Sequence, residues 1–279
     1  MTKKEIQEAL EEGDSLKQIA QSYTEIANLK IKKIRTQVER NRIFFEEIAK
    51  VFALVKKLAV KQKITISKPK KRITMLITSN YRFYGSINSD LIDYFMLATH
   101  KIETDRIMLG KAAIDFFKSS HTFSNYQEVL LKTDQPNASE LTMLVDMIKD
   151  YTQVLVIYSS MKSLLIQEPK VADITASSSL ENSSTGNELM NFIFEPEISK
   201  VLHFFDSQII TLLLEGTFLE SELSRTASRF ISMDQAENEA NKFIKEYEKL
   251  KAYAKRNSDN NTILENFASI SALRNQKYD

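Results

Sequence analysis

The stretch IKKIRTQVERNRIFFEEIAKVFALVKKLA, Ile31 to Ala59, decides the fold. Within it Ile31, Ile34, Val38, Asn41, Phe45, Ile48, Phe52, Val55 and Ala59 recur at alternating steps of three and four, with Asn41 the single polar member. That spacing puts a narrow apolar seam on one side of a helix, as in a coiled coil. No Gly or Pro falls between Ser15 and Gln62, so the helix is expected to run for about 48 residues, roughly 70 Å. Upstream, Ile19, Tyr23 and Ile26 form a similar stripe that joins the first with a phase slip, a stutter that relaxes supercoiling.

A seam of that length needs a partner of similar length, and the other end of the chain supplies one. Beyond Pro196 a second long pattern runs through Ile198, Leu202, Phe205 and Ile209, then Leu219, Leu223, Ala227, Phe230 and Met233, to Ala240, Ile244, Tyr247 and Leu250. Gly216 interrupts it at a cost of about 1 kcal/mol relative to Ala. The polar run NSDNN, Asn257 to Asn261, is expected to weaken the helix before Ile263 to Leu273 restores an apolar face. Two seams at opposite ends of one chain bury each other as an antiparallel pair when the middle of the chain is compact.

The pattern of that middle changes at Lys63. ITMLITS, Ile73 to Ser79, reads as a buried strand. A helix is expected over about 89–102, a strand at Arg106 to Leu109, an amphipathic turn through Ala113, Phe116 and Phe117, and a helix over about 138–149. Strands follow at Val154 to Tyr158 and around Leu164 to Gln167. Strands alternating with helices indicate a small, mainly parallel Rossmann-like α/β layer. Ala176 to Asn187, rich in Ser and Asn, reads as a loop. The expected class is therefore α+β, with three parts: a long N-terminal helix over 1–66, an α/β domain over 67–190 and a long C-terminal helix over 191–279.

Composition narrows the function. The chain of 279 residues holds only five Gly and four Pro, so turns are few. A net charge of +1 gives no global case for nucleic acid or an anionic membrane. Cysteine is absent, which removes disulfides, thiolate metal sites and a cysteine nucleophile together. The N-terminal MTKKEIQEALEEGDSL has no apolar core of a signal peptide, and runs such as Ile209 to Leu214 fall short of a membrane span. Phosphate-cradling motifs need more glycines than this chain has, and Gly110-Lys111 reads as a strand-to-helix turn. His100, His121 and His203 are widely separated, so no metal, cofactor or catalytic site is expected. The basic run Lys68, Lys70, Lys71 and Arg72 reads as a nucleic-acid patch or as a solvated lead-in to the first strand, and Asn41 as a register-fixing seam residue or a rim position.

The order of several segments resembles one family, the gamma subunit of F-type ATP synthase. QIAQSYTEIANLKIKKIR (Gln18 to Arg35), ITSNYRFYGSIN (Ile77 to Asn88), Leu109-Gly110-Lys111 with Phe116 and Phe117, and VLVIYSSMKS (Val154 to Ser163) each resemble that family's motifs in turn. FEPE (Phe194 to Glu197) and SRTASRFISMDQAENEANKFI (Ser224 to Ile244) extend the likeness to the C-terminal helix. The chain departs from the pattern in its acidic start (Glu5, Glu8, Glu11, Glu12, Asp14), in Asn80 to Phe83, and at the C-terminal tip.

The resemblance implies a non-catalytic central-stalk rotor that turns within a hexameric ring of alpha and beta subunits. Its α/β foot would meet an epsilon-type subunit and a c-ring, or another output component, with membrane contact only through those partners, on the cytoplasmic side of the cell membrane. Nucleic acid is not an implied partner. Residues implied in partner contact are Lys30, Asn80, Tyr81 and Arg82, and, near the tip, Arg256, Asn257, Ile270 and Leu273. A rotor of a repurposed F-like ATPase driving a machine such as gliding motility is the alternative. A coiled-coil tether with an α/β head is a further one.

Overall fold

The computed structural model of the chain describes residues 2–61, 71–100, 102–123, 125–175 and 198–275, with side chains at 53–61, 198–199, 201–203, 205–206 and 271–275 outside that description. Two long helices frame the fold, α1 (Lys3–Lys61) and α5 (Ile198–Asn275). Between them come β1 (Arg72–Ile77), α2 (Ile87–Thr99), β2 (Asp105–Leu109), α3 (Lys111–Ser120), β3 (Gln127–Val129), α4 (Ala138–Ile148), β4 (Gln153–Met161) and β5 (Gln167–Asp173). The strands form one sheet in the order β3-β2-β1-β4-β5, parallel except for β5, which pairs antiparallel with β4. The α+β class, with paired long helices and a mainly parallel sheet, is as the sequence indicates. Among the described residues no helix is long and apolar enough to cross a membrane.

The chain divides into two compact units, Ala27–Phe230 and Met1–Ile26 with Ile231–Asp279. In the first, the sheet is covered on both faces, which is why its inner strands read as unbroken apolar runs. Ile73, Met75 and Ile77 of β1 point to one face with Val154, Val156 and Tyr158 of β4, where Phe52 of α1, Leu144 and Ile148 of α4, and Ile209, Leu214 and Phe218 of α5 pack. Leu76, Met108 and Ile157 point to the other face, against Leu91 and Phe95 of α2 and Phe117 of α3. Ile31 and Ile34 of α1 meet Leu223 of α5 in a smaller cluster.

The second unit is helical throughout. Gln7 accepts from Lys251 Nζ at 2.7 Å, and Gln21 Nε2 donates to Glu237 at 2.7 Å, so the numbers fall along one helix as they rise along the other. This is the antiparallel pairing. Between those bonds a Cβ on Gly13 would lie 3.1 Å from both Ile244 and Phe243, a close helix approach.

Several expectations need correction. The stripe Ile19, Tyr23, Ile26 is not the seam: Ile19 and Ile26 are more than half exposed. Ile6, Leu10, Gly13, Ala20, Ala27, Ile31 and Ile34 are buried instead, in unbroken heptad phase. No stutter exists, because small residues carry the seam where apolar size pointed elsewhere. Likewise α1 begins at Lys3 with Gly13 inside it, so it extends beyond the Gly-free stretch that starts at Ser15, and α5 continues through Asn257 to Asn261 without a break. The strand expected around Leu164 to Gln167 is a turn: Lys162 and Ser163 N–H both donate to Ile166 O, and the strand proper follows as β5. The short strand β3 carries two exposed polar residues and one buried Val129, too little periodicity to announce itself. Lys68, Lys70, the Ala176 to Asn187 segment and the FEPE segment lie outside the described residues.

Candidate functional site

In an open α/β sheet, ligands collect at the carboxyl ends of the strands where the strand order reverses. Here that point lies between β1, which crosses over to β2, and β4 on its other side. The sequence builds the local turns with care. Gly110 closes β2 onto α3 at φ +93°, where a Cβ would sit 2.5 Å from Thr78 O, so only glycine fits. Thr78 Oγ1 donates to Leu109 O at 2.7 Å and accepts from Ala113 N–H at 3.1 Å, joining both turns.

Side chains of α5 occupy this edge. Arg225 is fully buried, and its guanidinium donates to Thr78 O (3.4 Å), Asp134 O (3.2 Å) and Glu222 Oε2 (3.1 Å). Glu222, also fully buried, accepts on its other oxygen from Lys30 Nζ of α1. Asp134, in the loop after β3, accepts from Asn80 N–H at 2.6 Å and from Tyr84 OH at 2.7 Å. One turn further along α5, Ser228 Oγ donates to Tyr84 O (2.8 Å) and Arg229 Nη2 to Arg82 O (3.2 Å), while the Arg229 guanidinium stacks 4.2 Å above the Tyr84 ring. On the β4 side Tyr158 OH donates to Glu220 at 2.8 Å. Burial, and then the neighbouring Asp134 carboxylate, pushes the Tyr84 phenol well above its usual value. Burial and Glu220 do the same to Tyr158.

Chemically the arrangement is a row of three alternating charges, Lys30, Glu222 and Arg225, beside the Asp134 carboxylate, which is held by the neutral Asn80 N–H and Tyr84 OH. The two terminal nitrogens of Arg225 are bonded while its Nε is buried without a hydrogen-bond partner among the described residues, and the place where a nucleotide would lie on such a sheet holds the protein's own guanidinium. Among the described residues no three metal-ligating side chains cluster. A second concavity, about 710 Å³, opens at the amino edge of the sheet beside Lys71, Arg72, His100 and Arg106. Arg106 is committed there to the carbonyls of Thr99 (3.0 Å) and Ile102 (3.4 Å) and stacks on Phe123 at 4.2 Å.

The residues implied in partner contact fall into two groups. Lys30, Asn80, Tyr81 and Arg82 belong to the sheet-containing unit. Lys30 is engaged internally with Glu222, and Asn80 donates to Leu131 O (2.9 Å) while accepting from Lys111 N–H (3.0 Å). Tyr81 is half exposed and Arg82 exposed. Arg256, Asn257 and Ile270 are exposed on the helical unit, whereas the Leu273 side chain lies outside the described residues. Sequence reading passed over Glu222, Arg225, Asp134 and Tyr84. The available signal was a Glu and an Arg three residues apart inside an otherwise apolar and small-residue stretch of helix, a spacing that pairs charges on one face.

The ATP synthase family profile matches residues 2–273. A gamma chain of ATP synthase from Mycoplasma capricolum is 22% identical over 232 residues, covering 80% of this chain and 82% of its own length. One from Bacteroides fragilis is also 22% identical, over 88% of this chain and 91% of its own. Among solved structures, the Tetrahymena thermophila mitochondrial ATP synthase central stalk and c-ring aligns with a TM-score of 0.59 at 20% identity, covering 78% of this chain and 99% of that one.

Proposed function

The chain belongs to the ATP synthase family, in which its relatives are gamma chains, and from that premise we propose that it is the central-stalk rotor of a rotary ATPase, carrying torque between an alpha/beta hexamer and an output. The observation that carries this reading is the antiparallel packing of α1 against α5 across a family match that spans both helices and the sheet between them. A shaft that sets the state of three catalytic sites in turn must resist twisting and bending. Two helices locked through a heptad seam resist both far better than one.

Under this reading the protein has no catalytic site of its own and works as the 1–66 and 191–279 helices of the shaft with a 67–190 foot. The exposed tip residues Arg256, Asn257 and Ile270, with Leu273 beyond them in the chain, face the ring. Lys30 and the loop Asn80 to Arg82 lie where the shaft meets its neighbours. The complex sits on the cytoplasmic face of the cell membrane, with an epsilon-type subunit and a c-ring below.

Native pull-down of the full chain with mass spectrometry of the captured subunits tests the proposal. Alpha and beta ATPase subunits together with a c-ring are expected. A ring captured without a c-ring moves the output to another machine, such as one driving motility. Absence of alpha and beta subunits defeats the rotor reading.

A further inference from the structure

We infer that Glu222 and Arg225 are positioning residues through which twist passes between the helix pair and the α/β domain, a role that rests on the rotor reading. The apolar face that joins α5 to the sheet, through Leu214, Phe218 and the strand residues above, resists separation. It resists sliding poorly, because apolar attraction follows buried area and has no preferred direction. A rotor loads this junction in shear. What opposes shear is a set of directional bonds held away from water, where each is stronger and geometrically demanding.

The carboxyl edge of the sheet contains such a set. The Arg225 fork reads two backbone carbonyls on two different loops, Thr78 O after β1 and Asp134 O after β3. A planar guanidinium that satisfies both fixes the angle of α5 about its own axis relative to the sheet. Glu222 holds that guanidinium and, through Lys30, ties it to α1, so both helices share one grip. Ser228 and Arg229 take hold of Tyr84 O and Arg82 O on either side of Phe83. Phe83 adopts φ +68°, a conformation that a bulky residue keeps only when its neighbours over-determine it.

Two buried opposite charges are a poor way to gain stability, since apolar side chains of like size often do as well. That separates a positioning role from a merely structural one. The double variant Glu222→Leu with Arg225→Met removes both charges together and leaves Lys30, which is partly exposed, to water. Its melting midpoint is expected within about 5 °C of the parent.

The test uses the assembled ATPase, its ring fixed to a surface, with a gold particle attached through the substitution Leu97→Cys. That residue is 83% exposed on α2, in a chain with no other cysteine. The spread of angles at a catalytic pause is expected to be about twofold broader in the double variant than in the parent. An unchanged spread in a variant that melts like the parent overturns the inference. If the double variant fails to fold, the charge exchange Lys30→Glu with Glu222→Lys takes its place. That exchange keeps a pair between α1 and α5 but turns Arg225 away from a like charge, so it too must broaden the spread, and an unchanged spread again overturns the inference. A parent chain that neither joins a ring nor rotates removes the rotor reading, and this inference with it. A parent that rotates while the variants leave its angle untouched removes the inference alone.

Discussion

The two units use the same helices in opposite ways. In the sheet-containing unit every residue of α5 from Ser221 to Ser228 is buried, charged ones included. In the helical unit the same helix presents one narrow seam, Met233, Ala240, Ile244 and Tyr247, with exposed residues between. Surrounded by sheet, loops and α1, a helix has no solvent face, and its periodicity disappears. Paired only with another helix, it keeps the heptad, and small residues at Gly13 and Ala20 let the backbones approach. The contrast shows that coiled-coil patterning reports how much of a helix is left to water.

The largest expected effect tests the enclosed unit. Phe218→Ala empties a site 2% exposed within the main core and should cost about 4 kcal/mol, read from urea unfolding followed by circular dichroism. A loss below about 1 kcal/mol would mean that α5 is not enclosed there.

Next comes the seam of the helical unit. Ala20 is 3% exposed and Ile19 53% exposed. In the isolated chain Ala20→Glu should cost about 3 kcal/mol by burying an unpaired charge, while Ile19→Glu stays within about 0.5 kcal/mol. Hydrogen exchange over the first 26 residues would read both, and the reverse ranking would restore the stripe through Ile19 and Ile26.

A smaller effect concerns the buried phenols of the enclosed unit. The Tyr84 value is raised by burial and by Asp134. A raised value means that the contribution is complete below the ordinary phenol value of about 10 and is lost as pH climbs through the folded value. Tyr84→Phe should therefore cost about 1.5 kcal/mol at pH 7, from the lost bond to Asp134, and flatten the fall in stability above about pH 10. Urea midpoints across that range decide it, and an unaltered alkaline slope would remove Tyr84 as its source.

The smallest effect is at Gly216. A Cβ there would meet Asn41 Oδ1 at 3.0 Å, and Asn41 sits in the α1 seam. Gly216→Ala gains helix propensity of about 1 kcal/mol and must turn the Asn41 side chain aside, so the net change should stay within about 0.5 kcal/mol. A larger loss would show Asn41 to be a rigid register pin.

Much of the fold was legible in the chain. The steps of three and four from Ile31 to Phe52 and from Leu219 to Leu250, with the apolar runs at Ile73 to Ile77 and Val154 to Tyr158, announce two helices and a parallel sheet, because local periodicity records burial directly. The scarcity of Gly and Pro sets the length of those helices. The candidate site was far less legible. Lys30, Asn80, Tyr81 and Arg82 were found through a likeness, whereas Arg225, Glu222, Asp134 and Tyr84 were missed: the three-residue spacing of Glu222 and Arg225 is their one local trace, and the rest meet across separations such as Tyr84 to Ser228 that no local pattern carries.

By itself, then, the sequence determined the long helices and the inner strands β1, β2 and β4, since each one's own spacing of apolar residues suffices for that, whereas the edge strands β3 and β5 carry too little of it. Only the tertiary structure decided which stripe of α1 is the seam, because Gly13, Ala20 and Ala27 have too little apolar surface to stand out until a partner helix comes close. It alone also decided that the carboxyl edge of the sheet is filled by Arg225, because a buried charge is tolerable only where partners from distant parts of the chain converge on it.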